Sequence, residues 1–529
     1  MSSKETAGSA RKRPSPRGNP VPSAPALPLA QTKRPHIIAV VILSLYAAAL
    51  MFQRGTVPPG MNSDVAEEAL RGIYLVEGHH FEVITFSVGN SAETLYLYLV
   101  GIAAQVFGPT TLAIQFVGWL FGLACVWLIW KLVERIADVP AWVPLLTGAC
   151  SLWLFHYARN GLRAISAPVF LGAFALLLER AERPNAGRGA AFLSGAVLGL
   201  SIYGYTSARA LPLAFLAYAA YRLIRSAGQF AQLLLRYATV VAGALFTSIP
   251  NLVFFAYHPK EFLFRGDYVM NGGAADYALQ LMWSVLFPVF YSDHFRHIVI
   301  AGYRSDGVAT GLTSAGHNPL QIVFAVAFLI GVWRLKDWIA KPLMVFLVCT
   351  WIVATLALGI AGPSPTRLLI LLPVYLVIAS LGFGWVLVRL PKMRIAVLAL
   401  ILVAGAIDGY TYFSGAGEGA DYRLSYDPAP VAIGERAEQL ASQGRRVMCI
   451  VSRDYNVVNY LTHRYSSKVK IVESLFRRID PARVPLNEFR PDIMLIQDYD
   501  RFLPFIAQIP KDWLVGDEGR FTEWRVPAR

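Results

Sequence analysis

Asp64 stands shortly after the first apolar run, behind Pro58-Pro59-Gly60, and is followed by Glu67 and Glu68 and then by His79 and His80. A carboxylate at the border of membrane and water can serve as a general base toward a polar acceptor while a lipid-borne donor approaches from the bilayer. It can equally cap the helix that begins near Val65. Six basic residues, Arg159, Arg163, Arg209, Lys260, Arg265 and Arg367, belong to connections on the same side of the chain. Guanidinium groups fork onto phosphate oxygens, so several that converge would hold a lipid phosphate or diphosphate, whereas single ones would only touch headgroups. Tyr203 and Tyr205, beside Ser207 and Arg209, offer a stacking and hydrogen-bonding wall, a part that interfacial aromatic belts also play without chemistry.

The elements that must position these groups are membrane helices. The 529 residues are 55% hydrophobic and only 16% charged, with a mean hydropathy of +0.47. Soluble domains carry about 25% charged residues, so a set of ordinary soluble domains is excluded, as are global disorder and disulfide-rich secreted classes. Crossing a bilayer core of about 30 Å takes about 20 residues of helix. Eleven runs suit that: His36 to Phe52, Thr111 to Trp130, Val139 to Phe155, Ala164 to Leu178, Gly189 to Thr206, Ala210 to Tyr221, Tyr237 to Tyr257, Pro319 to Trp333, Pro342 to Ala361, Leu368 to Val388 and Ile395 to Phe413. The sequence therefore predicts a polytopic α-helical membrane domain over 36–413.

Charge orients it. The net charge is +14, and residues 1–35 hold seven Lys and Arg against Glu5, in a Pro- and Ser-rich segment that reads as a disordered cytosolic tail. The tail lacks the interleaved aromatics of a nucleic-acid face, so no nucleic-acid partner is implied. Ala92 to Phe107 is a twelfth apolar run. If it does not cross, the short loops at 131–135, 180–188, 222–236, 334–341 and 389–394, each with two or three basic residues, fall on the side of the tail. It is read as a juxtamembrane or re-entrant helix on the outer face. The outer side then receives a loop at 53–110, a second at 258–318 with an interfacial segment at Tyr277 to Tyr291, and a carboxy-terminal domain at 414–529. That domain is predicted to be a small α/β unit, with strands at Arg445 to Val451 and Asp492 to Gln497, a third at Lys468 to Val472, and helices around Pro430 to Gln443, Tyr455 to His463 and Tyr499 to Ile506. The span interiors carry almost no ionisable groups, which counts against an ion-coupled carrier. Cys125, Cys150, Cys349 and Cys449 are far apart and read as small buried hydrophobes.

A long outer loop with an early Asp, a juxtamembrane helix ending in Phe107-Gly108, and many spans together resemble the GT-C glycosyltransferases related to protein O-mannosyltransferases (glycosyltransferase family 39) and to the lipid A aminoarabinose transferase. The segments Arg159-Asn160-Gly161-Leu162-Arg163, Gly199 to Thr206 with Arg209-Ala210-Leu211-Pro212, and His258-Pro259-Lys260-Glu261-Phe262 with Arg265 carry the likeness, over roughly Met61 to Val388. The resemblance implies an inverting transferase of the cell envelope that moves a sugar from a polyprenyl-phosphate carrier to a lipid, glycan or protein acceptor on the extracytoplasmic face. Asp64 matches the first acid of the family's Asp-Glu pair and would deprotonate the acceptor. Arg159, Arg163, Arg209, Lys260, Arg265 and Arg367 would bind the donor phosphate, and Glu67, Glu68, His79, His80, Tyr203 and Tyr205 would line the sugar and acceptor pocket. No metal or other cofactor is implied. Val65 replaces the second acid, with Glu67 or Glu68 one turn later as substitutes, and Asn90-Ser91-Ala92-Glu93-Thr94-Leu95 replaces a Lys-Pro-Pro-Leu type motif. The competing expectation is a non-catalytic binder or flippase of lipid-linked saccharides, which would need a polar groove through the bilayer.

Overall fold

The computed structural model describes residues 35–78, 81–87, 90–259, 278, 282, 319–357, 365–415, 426–451, 454–473, 486–497 and 509–527. The basic tail, the interfacial segment expected at 277–291 and the helix expected at 499–506 lie outside them, apart from residues 278 and 282.

Apolar periodicity becomes a bundle of helices. In chain order they are α1 (Pro35–Met51), α2 (Ser63–Glu77), α3 (Leu95–Phe107), α4 (Thr111–Ile136), α5 (Trp142–Ala149), α6 (Leu152–Asn160), α7 (Ser166–Ala181), α8 (Arg188–Ser201), α9 (Ala210–Arg225) and α10 (Phe230–Tyr257). They continue with α11 (Pro319–Trp333), α12 (Pro342–Ala357), the short α13 (Pro365–Leu368), α14 (Leu372–Arg389) and α15 (Arg394–Gly415). Among the described residues, five helices are long and apolar enough to cross a membrane: Thr111–Ile136, Arg163–Ala181, Phe230–Tyr257, Thr366–Arg389 and Pro391–Tyr410. α14 is buried along nearly its whole length and forms the axis of the bundle. α10 leaves most of its apolar face uncovered, as a helix facing lipid does.

The run expected at Val139 to Phe155 is not one rod. It breaks at Cys150, and Ser151 caps the second piece by accepting from the Leu154 N–H at 3.4 Å. A hydroxyl that satisfies an open helix amide starts a new helix more readily than it continues an old one. The ambiguous run at Ala92 to Phe107 also divides. Its first residues complete a hairpin of β1 (Ile84–Ser87) and β2 (Asn90–Glu93), and only 13 residues become α3, about 20 Å of helix, which is short of a bilayer core. α3 ends at Gly108, whose φ of 79° lets the chain turn into α4. α3 lies against α2 at contact distance of the backbones: a Cβ on Gly72 would meet the Leu97 carbonyl, and one on Gly101 would meet that of Gly72. Gly195, Gly199 and Gly243 allow the same closeness between α8 and α10.

After α15 come α16 (Pro428–Ser442), β3 (Val447–Val451), α17 (Tyr455–Leu461), β4 (Val469–Glu473), the short α18 (Leu486–Phe489), β5 (Ile493–Gln497), β6 (Leu514–Asp517) and β7 (Phe521–Arg525). They form a five-stranded sheet in the order β4-β3-β5-β7-β6, with β4, β3 and β5 parallel and β7 and β6 antiparallel. Every residue of β3 and β5 is buried, as expected of continuous apolar strands covered on both faces. The three strands expected from sequence are present. β6 and β7 are additional, and their charged, mixed sequences hide them from a search for apolar runs.

This small domain sits on the segment between α1 and α4. α17 packs on α2; the Tyr460 hydroxyl donates to the Thr110 carbonyl at 3.0 Å, and His463 Nε2 lies 2.9 Å from Glu77 Oε2. Gly60 lies so close to the Asp427 backbone that a Cβ would overlap it. α2 is thus wedged between α3 and α17.

Candidate functional site

Asp64 occupies the first turn of α2. It does not cap the helix: Asn62 does, its side chain accepting from the Asp64 N–H at 2.9 Å. The Asp64 carboxyl is therefore left for other work, open to the outside yet hemmed by protein. That desolvation, and next the neighbouring Glu67, raise its pKa above the usual Asp value, while Arg163 and Arg71 oppose the shift. Glu67 forms an ion pair with Arg71 one turn along.

Glu68, on the next turn of the same helix, points inward. Arg163 Nε lies 2.5 Å from Glu68 Oε1, and Arg163 Nη1 donates to Glu93 Oε2 at 2.6 Å. The second oxygen of Glu93 accepts from Thr206 Oγ1 at 2.7 Å and from Arg209 Nη2 at 3.0 Å. Glu93 is 2% exposed and Arg163 5%. Burial raises the Glu68 carboxyl, Arg163 pulls it down, and Asp64 pushes it up again. Two carboxylates and two guanidiniums thus form one charge-balanced chain behind Asp64, buried at Glu93 and Arg163 and partly buried at Glu68 and Arg209. Balance of this kind is what permits four charges to leave water.

The arginines reach it by local geometry. Gly161 ends α6 in the left-handed region, at φ 69°, with its N–H bonded to the Tyr157 carbonyl. The chain turns there into a 3₁₀ turn, Arg163–Ile165, which starts α7; Thr206–Arg209 makes the corresponding turn before α9. Both turns deliver a basic side chain to the carboxylate at the end of β2.

The chain continues toward α13. Arg163 Cζ stands 5.4 Å from the Tyr205 ring centroid, and the Tyr157 and Thr366 hydroxyls are 2.6 Å apart. Arg367, next to Thr366, keeps a buried Nη1 with no hydrogen-bond partner among the described residues, and so does Arg209 at Nε. These are two guanidinium groups with unused donors, one of them, Arg209, joined to the neutralised core through Glu93. An anion with several acceptor oxygens would complete them.

Arg159 and Tyr203 make internal contacts. Arg159 is fully buried and donates to the carbonyls of Ala49 at 3.2 Å, Leu50 at 2.6 Å and Val57 at 2.6 Å, and to that of Phe52. Three of these carbonyls belong to the last residues of α1 and the one just after, where helix carbonyls lack partners, so Arg159 closes the end of the first helix and does not reach outward. Tyr203 is also internal: its hydroxyl donates to the Thr247 carbonyl at 2.9 Å and accepts from the Asn251 N–H at 3.3 Å, tying α8 to α10. His79, His80, Lys260 and Arg265 lie outside the described residues. Glu93 and Thr206 were not anticipated as site residues. Their signal in the sequence is indirect: Arg163 and Arg209 stand next to apolar spans, and a guanidinium buried there requires an acid from elsewhere in the chain.

No family model matches this sequence, and neither does any curated protein. Solved structures do. ArnT from Cupriavidus metallidurans bound to undecaprenyl phosphate is 12% identical, with a TM-score of 0.59 over 92% of this chain and 97% of that one. The same protein in the apo state gives 13% identity and a TM-score of 0.57 over the same shares. The Archaeoglobus fulgidus oligosaccharyltransferase in the apo form is 13% identical, with a TM-score of 0.49 over 88% of this chain and 70% of that one.

Proposed function

We propose that this chain, whose fold is that of the GT-C glycosyltransferases, is an integral-membrane inverting glycosyltransferase that uses a polyprenyl-phosphate sugar. The observation that carries the reading is the placement of Asp64: an uncapping, accessible carboxylate at the edge of an apolar bundle, in front of the Glu68–Arg163–Glu93–Arg209 chain, whose Arg209 keeps an unused donor. The undecaprenyl phosphate named for ArnT supports a lipid-phosphate donor here.

In this reading the Asp64 carboxylate takes the proton of the acceptor hydroxyl. The freed oxygen attacks the anomeric carbon from the face opposite the lipid phosphate and forms the new glycosidic bond. The bond from that carbon to the phosphate oxygen breaks, and its electron pair leaves with the phosphate. Negative charge thus moves from Asp64's side toward the phosphate, where Arg209 and Arg367 hydrogen bonds strengthen as charge develops. The raised Asp64 pKa makes it a better proton acceptor than an ordinary carboxylate.

The eleven-span topology with the amino terminus in the cytosol belongs to the same proposal. Contacts of α17 with α2 support it, because the first outer loop and the carboxy-terminal domain must then share one side. The acceptor is a lipid, glycan or protein on that side. The test is to offer purified protein a panel of polyprenyl-phosphate sugars and measure released lipid phosphate and the anomeric configuration of the product. Release with inversion is expected; tight binding of the donors without release would favour a non-catalytic saccharide-lipid binder.

A further inference from the structure

We propose that Glu93 is a positioning residue for the transfer step: from the end of β2 it clamps Arg163, Arg209 and Thr206 together and so sets the charge and orientation of the groups behind Asp64. This rests on the reading of Asp64 as the base.

The geometry gives Glu93 an unusual concentration of bonds. One oxygen takes Arg163 at 2.6 Å; the other takes Thr206 at 2.7 Å and Arg209 at 3.0 Å. These partners enter from two separate 3₁₀ turns, 70 and more residues further along the chain. One carboxylate therefore fixes how the starts of α7 and α9 sit relative to the hairpin. Bonding at Nη2 also leaves the Arg209 Nε donor unpaired, while the ring of Phe255, 5.6 Å from Cζ, backs the guanidinium plane. A guanidinium anchored at one nitrogen presents its remaining donors in fixed directions, which a free Arg does not.

The electrostatic consequence falls on Asp64. Its neighbours are Glu67, Glu68 and Arg71 on its own helix and Arg163 from the turn before α7, and Tyr455 of α17 stands near Glu67. Glu93 reaches Asp64 through Arg163. Neutralising Glu93 would leave two guanidiniums facing Glu68 alone, an excess positive charge behind the base. Positive charge favours the ionised carboxylate, so the pH below which the base is lost would fall. Removing Arg209 instead leaves an excess of negative charge and should move that pH the other way.

The experiment is a pair of pH–rate profiles on full-length purified protein. Glu93→Gln is expected to lower kcat about a hundredfold, the cost of misplacing reacting groups by about 1 Å, and to move the acid limb to lower pH. Arg209→Gln, which keeps the Glu93 bonds to Arg163 and Thr206, is expected to move the limb to higher pH and remains available if Glu93→Gln does not fold. A purely structural role would reduce the amount of active protein without moving either limb. Limbs that superimpose on wild type would overturn the role of Glu93. Wild-type turnover by Asp64→Asn would instead remove the base on which the inference rests, so the two failures are distinct.

Discussion

Arg163 and Glu68 are joined at 2.5 Å between the start of α7 and the inner face of α2, with Glu93 closing on Arg163 from the other side. The family likeness placed Arg163 in a phosphate clamp. The structure shows it flanked by two carboxylates, so its charge is balanced within the protein.

That relationship sets a stability expectation. Breaking a buried ion pair by removing one partner costs about 3–5 kcal/mol, since the remaining charges are stranded. Arg163→Met should lose about that much, read as a lower denaturation midpoint of the purified protein in detergent. A midpoint within a degree of wild type would show that the chain is not a closed, buried unit.

Asp64→Asn should lower turnover by about 10² to 10⁴, the usual contribution of a general base, with folding unaffected, because Asn62 and not Asp64 caps α2. In the wild type the raised Asp64 pKa means that the carboxylate takes up its proton at a higher pH than an ordinary Asp does. Activity should therefore fall as pH drops through a range above that of an unperturbed Asp. An acid limb at or below the ordinary Asp value would contradict this environment.

Arg159 separates structure from binding. Arg159→Met leaves the last carbonyls of α1 unpaired, and each such buried group costs about 1–3 kcal/mol. A marked loss of thermal stability with unchanged donor affinity per folded molecule is expected. Weaker donor binding at undiminished stability would return Arg159 to the phosphate site.

Arg367→Ala should raise the Kd for a polyprenyl phosphate about tenfold or more, since a charge-assisted hydrogen bond contributes about 1.5–3 kcal/mol. Titration with a short-chain polyprenyl phosphate measures it, and equal affinity in the variant would exclude Arg367 from the donor site.

A reporter fused after Arg529 should be active only outside the cytosol. Activity inside would place the carboxy-terminal domain, and through its contacts with α2 also Asp64, on the cytosolic side, against the proposed topology.

Much of the architecture was legible because bilayers impose a simple demand. Backbone groups must bond within a helix and side chains must be apolar over about 20 residues, so apolar runs disclose helices without reference to contacts. The α/β unit was legible for a similar reason, β3 and β5 being apolar throughout. Contact is another matter. Arg159 and Arg163 lie four residues apart in one motif, yet Gly161 turns the chain between them. One then closes α1, and the other enters the carboxylate chain. Glu93 sits in a short polar stretch with no pattern around it, and its three partners arrive from turns far along the sequence. Which acid meets which arginine depends on how α2, the β hairpin, α7 and α9 pack. Periodicity carries no information about that packing, because a residue's partner across a bundle is chosen by three-dimensional fit and not by spacing along the chain.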